Sequence, residues 1–528
     1  MKKVLVVGLD GAPYKEIKEW VEKGELSFLS EIYKKGAFGS LKSIIPPFTM
    51  LAWPVIFTGK NPGKIGPFLY KGEKKGFNPD FFKGAQFINS TDIKTWTIWE
   101  WVSNFNGKVG VMNIPMTYPP MKVNGFFVSG ALTPKNAKDF VYPEQLRKEL
   151  TEYVIDLELP EGVGKTDKNL NKNRLKKLKK EFEILIKNRT KNAISLLKKY
   201  SPEFFIINFK EIDDFMHYFW NDKNSVLDYL KKSDESLREI YNQHKPDYVI
   251  VISDHGFSKA PTKYFYINQY LLERGYLKKS KSFKSNLFNL TYKAGILIIK
   301  NFGFLRNLFS DKLKFKIVRE SIKEQVDWEN TKAYAHWYAG IYLNPKFYPT
   351  PNAKKKGAEE IREALLEAKD PENGNKTILI AKTKWELFKG DFFEEMPEIV
   401  YTSTEDYRIN TNLPGRIVDK KVDRPSIVGH HTSALDGIIF VMGEGIKKGT
   451  HLEANIYDLF PTSCVLMEIP IPKDCDGRVL TEIMEEKKFK ISFSDLDYNS
   501  YKKSNESHYL TEEEDKSIKE HLKNLGYL

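Results

Sequence analysis

Val249, Ile250, Val251, Ile252, Ser253, Asp254, His255, Gly256 and Phe257 form the stretch on which the fold reading turns. Four β-branched apolar residues in a row are too short a run for a helix and read as a strand buried on both faces. The strand delivers a carboxylate and an imidazole at its carboxyl end, and burying such groups without partners is costly, so they point to a site there. Gly256 relieves crowding behind them. Working outward, the same pattern recurs at Lys3 to Asp10, Lys108 to Pro115, Phe204 to Asp213 and Gly437 to Glu444, each run closing on a polar or small residue. Long helical stretches separate them, for example Asn171 to Tyr200, with a Lys-rich polar face and Phe182, Ile184, Leu185 and Ile186 as its core stripe. The alternation predicts an α/β fold: a mostly parallel central sheet, helices on both faces, and ligand chemistry at the carboxyl ends of the strands.

Composition agrees with a globular protein. The chain has 528 residues, 41% of them hydrophobic and 29% charged, which excludes disordered, collagen-like and disulfide-scaffold classes. Its net charge of +13 would suit an anionic partner such as a phosphate ester, a nucleic acid or an acidic lipid surface. The excess of Lys and Glu over only five Gln instead reads as the charge-laced surface of a heat-adapted protein, and no nucleic-acid duplex is expected as partner. Two cysteines, Cys464 and Cys475, make no disulfide framework, and the N-terminus resembles neither a signal peptide nor a spanning helix, so a cytoplasmic setting is expected.

Three regions depart from the alternation. Tyr70 to Trp99, rich in Gly, Asn, Lys and Phe, reads as an excursion near the site. Lys279 to Val318 is basic, aromatic and amphipathic, and reads either as a helical cap or as a helix in peripheral contact with a membrane surface. Residues 484–528 form a charged tail whose Glu512, Glu513 and Glu514 open a helix docked on the domain. The expected division is therefore a discontinuous main domain, 1–278 and 319–483, which carries the sheet, an insertion at 279–318, and the tail.

Four of the nine histidines fall among acidic residues or after strands. Asp213 and His217 stand at i and i+4, where one helical turn brings both to one face to share a metal. Asp254 and His255 end their strand, and Asp10 ends another in the same way, so three carboxylates and two imidazoles converge on one sheet edge. Pro46 and Pro47 fix an extended approach to Thr49, which can cap the following helix. A hydroxyl in that position, beside a cation-binding carboxylate cluster, is how an alkoxide nucleophile is generated. His430 and His431 precede the last strand, and the sequence leaves open which of them faces the cluster.

These motifs together resemble the alkaline phosphatase superfamily, and within it the type I phosphodiesterase and nucleotide pyrophosphatase branch. Val7, Gly8, Leu9, Asp10 and Gly11, then Pro46 to Thr49 with Trp53, Thr58 and Gly59, then Asp213, His217 and Trp220, then Ser253 to Gly256, and a late His before Gly437 occur in family order. The resemblance spans nearly the whole chain except Tyr70 to Trp99 and the 279–318 insertion. It departs at Lys64, Ile65 and Gly66, where the family has a His-Gly pair. It implies two divalent metal ions, zinc or manganese. Asp10, Thr49, Asp254 and His255 would surround the ion that activates the nucleophile, and Asp213, His217 and His431 would hold the other. The implied activity is hydrolysis of a small-molecule or lipid-linked phosphate ester through a covalent phospho-threonine, with Asn113 or the backbone N–H groups opening the Thr49 helix as donors to the developing charge. The alternative is a relative of the same fold that binds phospholipid headgroups at a membrane surface or transfers a phospho group.

Overall fold

The computed structural model describes residues 1–72, 76–81, 83, 85–157, 172–280, 324–336, 340–420, 427–498 and 510–524. Its centre is a nine-stranded sheet built from β1 (Val4–Leu9), β2 (Ala37–Lys42), β3 (Val109–Ile114), β4 (Gly125–Ser129), β5 (Val141–Tyr142), β6 (Phe204–Phe209), β7 (Tyr248–Ile252), β8 (Asp436–Gly443) and β9 (Thr450–Asn455). The spatial order is β9-β2-β8-β7-β1-β6-β3-β4-β5. β7, β1, β6, β3 and β4 are parallel neighbours. β1, β3, β6 and β7 are buried along their whole length, as their unbroken apolar runs require.

All five expected runs are strands of this sheet, but the last is not parallel: β8 pairs antiparallel with both β7 and β2. The reversal has a consequence for chemistry. A strand running the other way begins at the edge where its neighbours end, so residues just before β8, His430 and His431, reach the same edge as residues just after β1 and β7. The sequence reading does not anticipate β2, β4, β5 and β9; β9, at the sheet margin, alternates buried with more exposed positions, and β2 is buried except at Ser40 and Lys42.

The helix Lys172–Tyr200 buries Phe182, Leu185 and Ile186, with Phe182 against Phe215 and Tyr229 of neighbouring helices, whereas Ile184, expected in the same stripe, is 58% exposed. Two residues from Phe182 it has turned about 200° around the axis, to the opposite face. The tail helix Glu512–Asn524 docks through Leu510 and Ile518. Most of the 279–318 stretch lies outside the described residues. Among those described, no helix is long and apolar enough to cross a membrane.

The described residues between 263 and 419 (263–280, 324–336 and 340–419) build a second hydrophobic core. It comprises a four-stranded sheet of Ala333–His336, Gly340–Leu343, Ile399–Ser403 and Ile378–Thr383, a three-stranded sheet of Tyr407–Asn410, Lys263–Tyr266 and Val418–Asp419, and the helix Pro351–Leu366. The 70–99 excursion reaches this second unit, where Phe81 stacks on His336 with ring centroids 4.4 Å apart.

Candidate metal centre and active site

Asp10 follows β1 directly, and the left-handed turn at Gly11 (φ 67°) aims the Gly11 N–H at Asp254 Oδ1, 3.2 Å away. Ser253 fastens this edge: its hydroxyl donates to the Ala12 carbonyl at 2.8 Å and accepts the Ile438 N–H at 2.9 Å, tying the ends of β1, β7 and β8 together. Asp10 Oδ2 is held by Trp53 Nε1 at 3.0 Å and Asn208 Nδ2 at 2.8 Å. Trp53 stands one turn after Thr49 in the wholly buried helix Thr49–Thr58, so one helix face supplies both the hydroxyl and the N–H that orients the first carboxylate.

Thr49 is the first helical residue rather than the cap, which is Phe48, and its side chain makes no capping bond. Its Oγ1 instead lies 3.0 Å from His255 Nε2. Asp213 sits in the first turn of the helix Glu211–Phe219, where the positive helix terminus favours a carboxylate, and His217 Nε2 lies 3.3 Å from Asp213 Oδ2 on the same face.

Two groups of ligand atoms each fall within 4.8 Å of one another: Asp10, Asp254 and His255, and Asp213, His255 and His431. His255 is shared, and His217 joins the second group through Asp213. All six expected carboxylate and imidazole ligands are thus brought to one sheet edge, together with Thr49. They are buried completely or nearly so; Thr49, with 5% exposure, is the least enclosed of them.

The imidazole hydrogen bonds distinguish the two adjacent histidines. Nδ1 of His217 donates to the Gly429 carbonyl, that of His255 to Gly256, and that of His431 to Pro47, at 2.8, 2.9 and 2.9 Å. A ring nitrogen bonded to a carbonyl carries the proton, so each of these rings presents the Nε2 lone pair to the cluster, the arrangement of a metal-ligating histidine. His430 is the reverse. Its Nδ1 accepts the N–H groups of His431 and Thr432 at 2.9 and 3.2 Å, which puts its proton on Nε2 and leaves no lone pair there for a cation.

Charge balance points the same way. Burial, followed by the charges of Asp254 and Asp213, holds the Asp10 carboxyl well above the usual carboxylate range; burial and Asp213 push Asp254 up to about 7. Burial also works against ionising Asp213, but His217, His431 and Lys210 outweigh it and hold that carboxyl well below its usual range. Burial, then neighbouring His255, keeps His431 neutral, as a ligand must be. Asp10 Oδ1 and Asp254 Oδ2 are buried without a hydrogen-bond partner. Carboxyls whose ionisation is held back by burial and by one another, imidazole lone pairs aimed at them and orphaned carboxylate oxygens are a donor set that fits divalent cations.

Asn113 is placed differently. It ends β3 in a left-handed conformation (φ 60°), and its Nδ2 donates to the Asn208 carbonyl at 2.9 Å, bracing the residue that holds Asp10. Asn208 and Lys210 were missed from the sequence. Asn208 is one position from the end of an ordinary apolar strand, and only the pairing of β6 with β1 sets it opposite Gly8, beside Asp10.

A mostly parallel α/β sheet that gathers carboxylates, imidazoles and a threonine hydroxyl at its carboxyl edge defines an enzyme of the alkaline phosphatase superfamily. The sequence matches the type I phosphodiesterase / nucleotide pyrophosphatase family over residues 4–433, and the chain belongs to that family of metal-dependent phosphoester hydrolases. No curated protein matches it. Among solved structures, human ectonucleotide pyrophosphatase / phosphodiesterase 5 is similar at 12% identity, covering 91% of this chain and 98% of its own, with a TM-score of 0.48. The murine protein of the same name is similar at 14% identity, over 92% and 100%, with a TM-score of 0.47. Phosphonoacetate hydrolase from Sinorhizobium meliloti, in complex with phosphonoacetate, is similar at 12% identity, over 87% and 94%, with a TM-score of 0.49.

Proposed function

We propose that the chain hydrolyses a small-molecule or lipid-linked phosphate ester with Thr49 as nucleophile and two divalent cations, one held by Asp10, Asp254, His255 and Thr49, the other by Asp213, His217 and His431. The observation that carries this reading is the position of Thr49 Oγ1, 3.0 Å from His255 Nε2 and beside the Asp10, Asp254 and His255 group. Zinc or manganese bound there would neutralise phosphoryl charge and lower the pKa of the Thr49 hydroxyl.

The chain's own residues supply the rest. Trp53 and Asn208 fix Asp10, and the carbonyls of Gly256, Gly429 and Pro47 fix the three imidazoles, so the donors need little reorganisation. Thr49 Oγ1 gives its proton to solvent and bonds to phosphorus as the P–O bond to the leaving group breaks in line, and the departing oxygen takes a proton from solvent. Water then displaces Thr49 from the phospho-threonine, giving net retention at phosphorus. Leu51 and Ala52 make the first helical bonds to the Phe48 carbonyl, so the N–H groups of Thr49 and Met50 precede them and suit the equatorial phosphoryl oxygens.

The test is hydrolysis of bis-(p-nitrophenyl) phosphate by metal-loaded, chelator-treated and Thr49→Ala protein. Turnover is expected only from the first. Turnover by Thr49→Ala at the wild-type rate would overturn the nucleophile assignment, and full activity after complete metal removal would overturn the metal assignment.

A further inference from the structure

Two neighbouring surface helices treat their cations differently. On Lys223–His244 every Lys and Arg has a carboxylate partner: Lys223 with Glu16, Lys231 with Glu25, Lys232 with Glu183 and Arg238 with Glu31. On Lys172–Tyr200, by contrast, Lys176, Lys180, Lys187, Lys191 and Lys198 are exposed and form no ion pair among the described residues. At about 100° per residue these five fall within roughly 60° of the helix circumference, and they run along about 33 Å of its axis. Ile184, 58% exposed, adjoins the row between Lys180 and Lys187. The only carboxylates of the helix, Glu181 and Glu183, lie to either side of this stripe and pair with Lys177 and Lys232.

A single exposed lysine is at ease in water and needs no partner. Five on one sector are another matter, because like charges one turn apart work against the helix that carries them. A surface adapted to heat interleaves the two signs, as the adjoining helix does, and this stripe does not. Its complement is an extended anionic surface. Ile184 selects the kind. Against the phosphates or the polar grooves of a nucleic acid its side chain would gain nothing, whereas at a bilayer it can pass the headgroups into the acyl boundary while the lysine stems keep their ammonium groups among the phosphates. The stripe also offers no arginine and no aromatic ring, the groups that read base edges or stack on bases.

We propose that this stripe docks the protein on an anionic lipid bilayer, with the five lysines at the headgroups and Ile184 inserted between them. The helix then lies in the plane of the membrane surface. This contact uses none of residues 279–318 and is independent of the chemistry at Thr49.

The experiment is pelleting of the full chain with vesicles of phosphatidylcholine, alone or with about 30% phosphatidylserine, at about 50 and about 500 mM salt. Wild-type protein is expected to pellet with the anionic vesicles only and to be released by the higher salt. Each lysine near such a surface contributes about fivefold to partitioning, so Lys180→Gln, Lys187→Gln and Lys191→Gln together are expected to lower it about 100-fold. Gln suits a helix nearly as well as Lys, so the fold is kept, which circular dichroism checks. An equal-charge control, Lys223→Gln, Lys231→Gln and Lys232→Gln together, removes lysines that already have carboxylate partners and is expected to stay near wild type. Ile184→Gln is expected to weaken vesicle binding about 10-fold and to leave any binding of a DNA duplex unchanged. Four results would each overturn the proposal: no wild-type pelleting with anionic vesicles, a loss in the stripe variant no larger than in the control, vesicle binding indifferent to Ile184→Gln, or tighter binding to the duplex than to the anionic vesicles.

Discussion

Replacing His431 and His430 in turn tests the proposed assignment of His431 as a metal ligand and His430 as a residue that holds the loop. The two rings are 5.2 Å apart and equally buried, so position alone does not distinguish them; the location of their protons does. His431→Ala removes an Nε2 lone pair from the group it forms with Asp213 and His255, and leaves Asp213 buried with one ligand fewer. Removing a partner of a ligand typically weakens metal binding 10- to 100-fold, so losing the ligand itself is expected to weaken one cation by about 100-fold or more, roughly 3 kcal/mol. His430→Ala removes no ligand. It deprives the N–H groups of His431 and Thr432 of their acceptor, at about 1–3 kcal/mol each if they stay dry, so it costs stability rather than metal. His430→Asn, whose side-chain oxygen can accept the same hydrogens, is expected to recover most of that stability. The assay is zinc titration of chelator-stripped protein against a chromophoric competitor, with metal content by mass spectrometry and unfolding by denaturant. Full metal binding in His431→Ala together with a lost cation in His430→Asn would refute the reasoning from hydrogen bonds to tautomer to ligand.

Acid sensitivity follows from two histidines remote from the centre. Burial lowers His244 from 6.5 to about 4 and His336 from 6.5 to about 3, so the unfolded chain takes up these protons first. The stability they contribute is complete above pH 6.5 and falls by up to about 1.4 kcal/mol per pH unit per group as the pH drops towards 4 and 3. Denaturant unfolding at pH 7 and pH 5 should show the loss, and His244→Gln should reduce it. Metal binding should release protons near neutrality: a cation competes with the proton on Asp254, raised to about 7, and on Asp10, also raised, so affinity measured calorimetrically should rise as pH increases from 5 through about 7. Gly8→Ala places a Cβ 2.5 Å from Asn208 Oδ1 and 2.6 Å from the Trp53 ring, the two groups that hold Asp10. Metal affinity is expected to fall by about 10-fold or more in this variant, and wild-type affinity would show that these two supports of Asp10 are dispensable.

Local chemistry made much of this protein legible in one dimension. An unbroken β-branched run can be buried on both faces only inside a sheet, and a carboxylate at its end has to find a partner, so Asp10, Asp254 and His255 announced both the strands and the site. Asp213 and His217 followed from helical spacing alone. What the sequence could not carry was anything set by contact between distant segments. The direction of β8, which brings His431 to the edge where β1 and β7 end, depends on pairing with strands far away in the chain. The choice between His430 and His431 depends on carbonyls and N–H groups whose positions exist only once the loop is packed. Asn208 acquires its task from lying opposite Gly8 across two strands. Periodicity and burial are properties of a segment, whereas register and tautomer belong to pairs of segments, and only the folded chain specifies the pairs.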